Sequence, residues 1–543
     1  MIRDAKIKIG TIACFVLTAT LTFTSCEKEV LDMSPVNTLS DETVYGSPER
    51  CELAVIGAYD AAQCGYYETS AAYTRGYPFG AASIMQGEMR GEDMVNTAAF
   101  YDYTYSTTYD LTTANNKSYW EASFEAINRY NVVLEGIAAA TERGVLTQTQ
   151  GNEYRAELLF LRALTYHSLL IHFALPYGVS GNNSYGLPIY TKAINTKERV
   201  EEAREVGRST VEETYKQALD DLDEAENLFS TNDLHTVNGI TRASKGSVIA
   251  LKTRVYLHKR DWNKVKEEAS KIVSKTTASF TSPIGGYGLT ASPADPFTSY
   301  NNNTESVFSI ENSTTDEASV NGAMAAMMSA RAGGRALVAF SPILYNNTTY
   351  WPANDKRRLL LFYNEGTDYW YCDKYQKVTT REEYAPIIRY AEVLLNYAEA
   401  EVRRQGGDRA LALELLNAVR NRALENPATE AYTSSSFADV KTFVDAILWE
   451  RRIEFFGEGR RWEDIHRLAA DDISPSGGIP RKIDYDSSMG EGAFVLGEAP
   501  KEEFFKSSRP FIPYTDKRFL WPIPINDVVR NPTLAEQQNA GWN

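Results

Sequence analysis

The sequence is short of cysteine and of long apolar runs, and both shortages limit what the protein can be. Only five of its 543 residues are cysteine, and three of these, Cys51, Cys64 and Cys372, follow residue 26. Three cysteines cannot build a disulfide framework. A bridge between Cys51 and Cys64 and a set of small buried thiols are both consistent with the sequence. After the N-terminal segment no run of about 18 apolar residues occurs, which predicts that no transmembrane helix follows.

Motifs for catalysis and metal binding are also missing. The five histidines are spread along the chain, and His167 and His172 are five residues apart, which does not place them on one helix face as a His-x-x-x-His pair would be. The sequence contains no HExxH, no Gly-x-Ser-x-Gly, no phosphate-binding Gly-x-x-x-x-Gly-Lys and no cysteine pair at zinc spacing. It therefore predicts no metal and no cofactor. Missing motifs are weak evidence against catalysis by themselves, and the expectation that the protein is not an enzyme depends on the family resemblance given below as well. A glycosidase stays an alternative, because it needs only two carboxylates.

Basic residues are outnumbered by acidic ones. The chain has 56 Lys and Arg against 72 Asp and Glu, a formal net charge of −16. Nucleic acids and anionic lipids bind basic surfaces, so neither is expected as a partner. The apolar fraction of 43% and the charged fraction of 24% are ordinary for a globular protein.

Aromatic residues are abundant, with 33 Tyr, 22 Phe and 8 Trp. Much of the tyrosine lies in stretches that are rich in Asn, Ser, Thr and Gly. An aromatic ring with a polar tip can stack on a sugar face or on a peptide and still tolerate water. Composition alone does not separate this role from the alternative that tyrosine covers a large surface.

The N-terminus has the pattern of an export signal. Three basic residues lie within the first eight positions, and Ile9 to Phe23 form a mostly apolar run. About 15 residues is the length of a signal-peptide core and too short to span a bilayer comfortably. Two small residues then precede Cys26 in an arrangement that resembles the bacterial lipobox, with Phe23 where Leu is usual. We expect residues 1–25 to be a signal peptide and Cys26 to carry several acyl chains, which anchor stably where one chain does not.

Helical periodicity dominates the rest of the chain. Residues 26–48 read as an extended lead-in, and 49–543 as a single domain. Apolar residues at i, i+3/i+4 and i+7 predict ten helices, at about 49–62, 120–140, 149–173, 209–229, 243–258, 262–274, 386–404, 408–424, 437–456 and 459–468. In the helix 386–404, Pro386 suits the first turn and Gly406 with Gly407 suits the end.

Between the helices the pattern changes. The segments at about 64–118, 276–383 and 470–543 are rich in Gly, Ser, Asn, Pro or Tyr, with strand-like pieces such as 306–310. The helical scaffold covers about 119–275 and 384–469. The fold class expected is mainly α: a tetratricopeptide-like scaffold of helical hairpins with large, irregular, loop-rich insertions that carry short strands.

Several motifs occur in a characteristic order between residues 26 and 542. They are Trp120…Phe124…Ile127-Asn128-Arg129, Phe160-Leu161-Arg162-Ala163, Gly186-Leu187-Pro188, the run RYAEVLLNYAEA at 389–400, the run ERRIEFFGEGRRWED at 450–464, and Leu520-Trp521-Pro522-Ile523-Pro524. Together they resemble the SusD/RagB family of nutrient-binding lipoproteins of Bacteroidetes outer membranes, and the resemblance covers essentially the whole chain after residue 25.

The resemblance implies a function and a partner. It implies a tetratricopeptide-like α scaffold with a loop-rich binding face that captures an oligosaccharide, or in some members a peptide, at the cell surface. It also implies that the protein is the lid of a SusC-like, TonB-dependent outer-membrane transporter. Glu27 and Glu29, just after the anchor, look like the tag that sends such lipoproteins to the outer face. A RagB-like peptide binder, an envelope glycosidase and a lid with little ligand affinity of its own remain alternatives.

The resemblance also points to the ligand site. In family members the site is a shallow aromatic arc, built by the loops before the first scaffold helix and by the insertion between the scaffold halves. The positions that match here are Tyr73, Tyr77, Arg90, Glu92, Asp93, Tyr101, Tyr103 and Tyr105 in the loops, and Tyr287, Tyr300, Asn301, Asn302, Tyr350, Trp351, Tyr369 and Trp370 in the insertion. Rings stack on sugar faces, and Arg, Asp and Asn hydrogen-bond hydroxyl groups. Trp351 and Trp370 are the strongest single candidates.

Overall fold

Long helices follow one another along the chain in the computed structural model, which describes residues 41–64, 76–179, 183–229, 239–274, 280–484 and 489–542. The predicted signal peptide, Cys26 and Tyr73 lie outside the described residues. The α-helices are α1 (Asp41–Val44), α2 (Pro48–Cys64), α3 (Ala81–Met89), α4 (Ala99–Tyr105), α5 (Ala114–Glu142), α6 (Gln148–Phe173), α7 (Lys197–Arg204), α8 (Val211–Leu228), α9 (Lys245–His258), α10 (Trp262–Ile272), α11 (Asp295–Thr298), α12 (Ser319–Gly322), α13 (Met324–Met328), α14 (Pro342–Tyr345), α15 (Tyr390–Arg403), α16 (Arg409–Asn421), α17 (Pro427–Glu430), α18 (Val440–Glu454), α19 (Arg460–Arg467), α20 (Ile525–Arg530) and α21 (Pro532–Glu536).

The strands are short. They are β1 (Met94–Asn96), β2 (Ser306–Ile310), β3 (Val338–Phe340), β4 (Leu361–Asn364), β5 (Tyr369–Cys372), β6 (Ala385–Arg389), β7 (Gly478–Ile479) and β8 (Ile512–Pro513). Single 3₁₀ turns lie at Gly239–Thr241, Lys356–Leu360, Ser434–Ser436, Glu491–Ala493, Glu502–Phe504 and Lys517–Phe519.

The long helices pack in chain order. Helix α2 packs on α5, α5 on α6, α6 on α8, α8 on α9, and α9 on α10. Helix α10 then packs on α15, which also contacts α16 and α18. The stack thus continues from α10 to α15 across the insertion between them. This is the mainly α-helical, tetratricopeptide-like scaffold that the periodicity predicted.

Side-chain caps explain where several of these helices begin. Thr147 caps α6 and Thr210 caps α8, each in a capping box with the residue three positions later. Asp439 caps α18 in the same way. Such caps satisfy backbone N–H groups that the first turn leaves without partners. The ten predicted helices are all present, most with ends within a few residues of the prediction.

One predicted helix start was wrong. The helix was expected to begin at 386. Residues Ala385–Arg389 form strand β6 instead, and the helix begins only at Tyr390. Strand β6 pairs antiparallel with Ser306–Ile310, the segment that was predicted as strand-like. Two consecutive β-branched residues, Ile387 and Ile388, favour a strand once a partner is present, and Pro386 lies beside a register shift, where proline is tolerated.

The insertions are more ordered than expected and are joined to one another. The first, predicted as loop-rich, contains α3, α4 and β1. Strand β1 pairs with β3 of the second insertion, with Val95 opposite Ala339. The other two-stranded antiparallel pairs in the described chain are β2–β6, β4–β5 and β7–β8. The β1–β3 pair therefore brings the loops before the scaffold next to the insertion between its halves.

Buried ion pairs connect the insertions to the helices. Arg357 Nη1 lies 2.5 Å from a carboxylate oxygen of Glu450 and 3.1 Å from one of Glu454. Arg389, at the end of β6, lies 2.8 Å from Glu454 and 2.8 Å from Glu458. All five side chains are at most 3% exposed. Removing one partner of such a pair leaves an uncompensated buried charge, at a cost of about 3–5 kcal/mol.

A second network joins the last helices of the scaffold. Glu399 pairs with Arg403 at 2.8 Å, the i,i+4 pair expected from the sequence, and with Arg467 at 2.7 Å. Asp464 pairs with Arg451 at 2.8 Å. The Arg451 and Arg467 guanidinium groups hold the pKa of Asp464 at about 2 although burial alone would raise it. The acidic residues Glu399 and Asp464 thus neutralise buried arginines.

The described cysteines and helices settle two further points. Cys51 and Cys372 are free, buried thiols. Because Cys51 and Cys64 lie thirteen residues apart on α2, a rise of 1.5 Å per residue separates their backbones by about 20 Å, and the alternative of a bridge between them is wrong. Among the described residues, no helix combines the length and the apolarity needed to cross a membrane.

Candidate functional site

Most of the predicted ligand-binding side chains lie in the interior. Those with at most 7% exposure are Tyr77, Arg90, Glu92, Asp93, Tyr101, Tyr105, Tyr287, Trp351 and Tyr369. A side chain without exposed surface cannot contact a ligand. The expectation that these residues bind one is therefore corrected, and we assign them a packing role. Aromatic loop residues looked like surface in the sequence because their partners come from distant segments.

Arg90 shows how such a residue is held. Its guanidinium carbon lies 3.6 Å from the ring centroid of Trp462 and 5.1 Å from that of Trp521. It donates a hydrogen bond to the backbone carbonyl of Phe519. Burial lowers its pKa to about 10, so the group stays charged at neutral pH. Arg90 therefore fastens the first insertion to the C-terminal segment.

Glu92 and Asp93 are matched by arginines from the scaffold. Arg461 donates to Glu92 at 2.7 Å, and Arg452 donates to both oxygens of Asp93. Burial alone would raise the pKa of Glu92, but Arg452 and Arg461 bring it down to about 2. These carboxylates fix the first insertion on α18 and α19.

The remaining predicted residues reach the surface, and their rings pack against different partners. Tyr103 is 51% exposed, Asn301 and Asn302 are exposed, and Tyr300, Tyr350 and Trp370 are half-buried. Tyr300 packs edge-on against Tyr384 at 5.3 Å. Tyr350 stacks on Trp449 with ring centroids 4.9 Å apart and an angle of 7°.

Trp370 belongs to a cluster of four rings, Tyr345, Tyr363, Trp370 and Phe494, called here the aromatic stack. Trp370 stacks on Tyr345 at 5.2 Å and 24°, and lies 5.2 Å from Tyr363. Phe494 meets Tyr345 edge-on at 5.3 Å. Tyr345, Tyr363 and Phe494 are half-buried like Trp370. The stack is therefore an aromatic surface to which three separate segments contribute.

Backbone pairing holds these segments in place. In the β4–β5 hairpin Tyr363 is directly opposite Trp370, which brings their side chains together on one face. The Gly497 N–H donates to the carbonyl of Asn346 at 2.8 Å, and the Asn346 side chain donates to the carbonyl of Ala493 at 3.0 Å. Phe494 is thereby fixed beside Tyr345.

Arg358 connects the aromatic stack to Trp351. Its guanidinium carbon lies 5.2 Å from the Tyr345 ring and 4.2 Å from the Trp351 ring. It donates to the backbone carbonyls of Tyr345, Trp351 and Pro352 at 3.0, 2.7 and 2.8 Å. Burial lowers its pKa to about 10. The two tryptophans favoured from the sequence thus lie at opposite ends of one layered arrangement, Trp351 buried and Trp370 partly exposed.

Exposed apolar residues lie in the same segments. Leu359 is 81% exposed, Leu496 39% and Val495 37%. Asp368 accepts a hydrogen bond from the Tyr363 hydroxyl at 2.9 Å. Partly exposed rings flanked by apolar and hydrogen-bonding groups can stack on the apolar face of a sugar ring and bond its hydroxyls.

Sequence reasoning missed Tyr345, Tyr363, Phe494 and Arg358. A signal existed for Tyr363, because two short runs rich in aromatic residues, 361–363 and 369–371, flank a polar turn that contains Gly366, and the observed hairpin register pairs Tyr363 with Trp370. No local signal places Phe494 beside Tyr345. Among the described residues, no group of three or more His, Cys, Asp or Glu side chains is arranged to hold a metal ion.

Two family models match the chain. The one described as "SusD family" covers residues 340–542, and the one described as "Starch-binding associating with outer membrane" covers residues 31–257. A curated relative, SusD-like protein P38 of Formosa agariphila, is 24% identical over 590 residues, with 98% of this chain and 99% of the relative covered.

Solved structures resemble this one over most of its length. A SusD superfamily protein from Bacteroides fragilis has a TM-score of 0.72 at 24% identity, covering 90% of this chain and 99% of that one. A second, from Bacteroides vulgatus, has a TM-score of 0.70 at 22% identity, covering 92% and 99%. A laminarin-binding SusD-like protein has a TM-score of 0.66 at 20% identity, covering 91% and 100%. At these identities the likeness establishes the fold.

Proposed function

Because this chain belongs to the SusD/RagB family, we propose that it is a lipid-anchored, nutrient-binding protein of the outer membrane that captures an oligosaccharide at the cell surface. It then delivers this ligand to a SusC-like, TonB-dependent transporter. One family model that it matches is described as associating with the outer membrane, and one structural neighbour is described as laminarin-binding.

The aromatic stack is the observation that supports saccharide binding. Trp370, Tyr363 and Tyr345 are partly exposed, and the hairpin and the Gly497–Asn346 hydrogen bond hold them in a fixed arrangement. A preformed aromatic surface binds with little loss of side-chain entropy. Shallow sites of this kind have affinities near micromolar or weaker, roughly −8 kcal/mol.

We propose binding rather than catalysis. Glu392, Glu450 and Asp464 are at most 3% exposed and pair with Arg254, Arg357 and Arg451 at 2.6, 2.5 and 2.8 Å. Glycoside hydrolysis needs two carboxylates that face the substrate, and these face arginines.

Calorimetry of the purified protein against oligosaccharides, with short peptides in parallel, tests the proposal. We expect an oligosaccharide to bind, and Trp370→Ala to weaken that binding about tenfold or more, because a stacked aromatic anchor contributes over 1 kcal/mol. Trp542→Ala, which removes a half-buried tryptophan outside the stack, is the matched control and should bind as the wild type does.

Other outcomes would redirect the proposal. Binding of peptides alone would favour the RagB-like function, and release of reducing sugar would favour a glycosidase. Saccharide binding that Trp370→Ala leaves unchanged would remove the aromatic stack from the ligand site.

A further inference from the structure

A small cavity lies where the first insertion meets the helix stack. Its volume is about 50 Å³, and residues from α3, α6, β6 and α19 contribute to its wall. The saccharide proposal does not involve this cavity, since none of the four rings of the aromatic stack lines it.

Two buried polar atoms without a hydrogen-bond partner among the described residues face this cavity. His167 is 2% exposed and Glu463 is 7% exposed, and both line the wall. His167 Nε2 and Glu463 Oε2 have no hydrogen-bond partner among the described residues. Buried polar atoms are nearly always hydrogen-bonded, to protein or to ordered water.

His258, which lies beside His167 and outside the cavity wall, has two more polar atoms without a hydrogen-bond partner in the described part of the chain. It is 1% exposed, and the two atoms are its ring nitrogens. Its ring centroid is 4.6 Å from that of His167, and its Nε2 is 3.9 Å from Glu463 Oε2. That distance is too long for a hydrogen bond, but it allows one water molecule to bond both atoms at about 2.8 Å.

The charges around the cavity are already balanced. Arg254 is paired with Glu392 at 2.6 Å, and Arg460 is paired with Glu463. Burial lowers the pKa of His167 to about 3 and that of His258 well below its ordinary value, so both rings are neutral. A neutral imidazole presents one N–H donor and one acceptor nitrogen. A ligand for this wall must therefore donate and accept hydrogen bonds and carry no net charge.

We propose that a cluster of about two or three ordered water molecules binds here, in the cavity against His167 and Glu463 and beside the cavity between Glu463 and His258. Water is the smallest molecule that both donates and accepts, and buried waters form about three hydrogen bonds each. The cluster completes the hydrogen bonding of three buried side chains, of which Glu463 is satisfied only in part by its ion pair with Arg460. It also connects α6 and α9 to α19 at the junction with the first insertion.

A crystal structure of the protein at a resolution near 1.5 Å tests this proposal. We expect solvent density within about 3.2 Å of His167 Nε2 and a second peak bridging His258 to Glu463. A cavity without density would overturn the proposal. So would a His258 ring that has rotated into a direct hydrogen bond with Glu463.

Two soaks of the same crystals separate water from other occupants. Xenon enters dry, apolar cavities, so we expect no xenon peak here, and a xenon peak would contradict a water cluster. Bromide replaces a bound anion, so an anomalous bromide peak beside Arg254 or Arg460 would show an anion site instead. No peak in either soak, with the solvent density present, is the expected result.

Discussion

At the scale of single residues, burial separates two tryptophans that look alike in the sequence. Trp351 is fully buried and packs near Phe340 and Phe456, at 5.8 and 5.9 Å. Trp370 is half-buried in the aromatic stack. Arg358, which also contacts the aromatic stack, lies 4.2 Å from the Trp351 ring. Both tryptophans therefore belong to one local structure, Trp351 in its buried part and Trp370 at its partly exposed surface.

We predict that Trp351→Ala lowers the free energy of unfolding by about 3–5 kcal/mol, because it leaves a cavity in the core. Chemical denaturation followed by circular dichroism measures this change. Trp542→Ala is the control and should cost clearly less, since Trp542 is only half-buried. Equal effects of the two substitutions would contradict a core role for Trp351.

Glu88 is a single residue with a predicted pH effect. It is 1% exposed, and burial raises its pKa to about 8 despite a hydrogen bond from the Gly459 N–H. The folded protein therefore keeps a proton that the unfolded chain loses near pH 4.5. From this group the free energy of unfolding falls as the pH rises from 4.5 to about 8, by about 1.4 kcal/mol per unit, and levels off above.

Glu88→Gln imitates the protonated side chain and should remove this fall. We expect denaturation at pH 5 and at pH 8.5 to show a loss of stability that is smaller by several kcal/mol in Glu88→Gln than in the wild type. Glu414→Gln, an exposed position on α16, should behave as the wild type. Parallel pH curves for Glu88→Gln and the wild type would argue against a protonated Glu88.

At the scale of elements, caps and packing together determine the helices. The Thr210 hydroxyl accepts a hydrogen bond from the Glu213 N–H, and the Glu213 carboxylate accepts one from the Thr210 N–H at 2.8 Å. Helix α8 packs on α6 and α9, so loss of its cap affects the whole stack. The local signal and the tertiary contacts agree here, which is why the sequence predicted this helix within two residues at its start.

We predict that Thr210→Ala lowers the free energy of unfolding by about 1 kcal/mol. Thr196 caps α7, which has no buried residues, so Thr196→Ala should leave global stability nearly unchanged. Urea denaturation of both variants measures the difference. A loss as large for Thr196→Ala would mean that α7 unfolds together with the stack.

Strand β6 shows where local pattern was not enough. Residues 385–389 continue the apolar periodicity of the following helix, and Pro386 fits a first helical turn. The chain instead pairs them with Ser306–Ile310, far away in sequence. A two-stranded pairing satisfies backbone groups that a helix would satisfy internally, and only the fold decides between the two.

At the scale of the whole molecule, buried ion pairs join parts that are distant in sequence. Arg389 of β6 reaches Glu454 of α18 and Glu305 beside β2. Arg452 and Arg461 hold the first insertion through Glu92 and Asp93. Buried ion pairs thus attach the insertions to the scaffold. The sequence shows the charged residues but not which of them pair.

The predicted anchor at Cys26 concerns the whole protein. We predict that Cys26→Ala leaves calorimetric ligand binding intact and abolishes membrane retention, because the acyl chains supply the attachment. Membrane fractionation in cells without the transporter measures this, with Cys51→Ala, a buried thiol of α2, as the control. Cys26→Ala protein that still sediments with the outer membrane would contradict the lipid anchor.

The sequence alone determined the helical scaffold, most of its helix boundaries and the family, because periodicity, caps and ordered motifs are local properties. The tertiary structure decided which aromatic residues are exposed. Tyr73 stays a prediction outside the described residues, while Tyr77, Tyr101 and Tyr287 proved to be interior and Trp370 stacks with two rings, Tyr345 and Tyr363. The exposure of a ring depends on which distant segments cover it, as Phe494 covers part of Tyr345, and no local pattern carries that information.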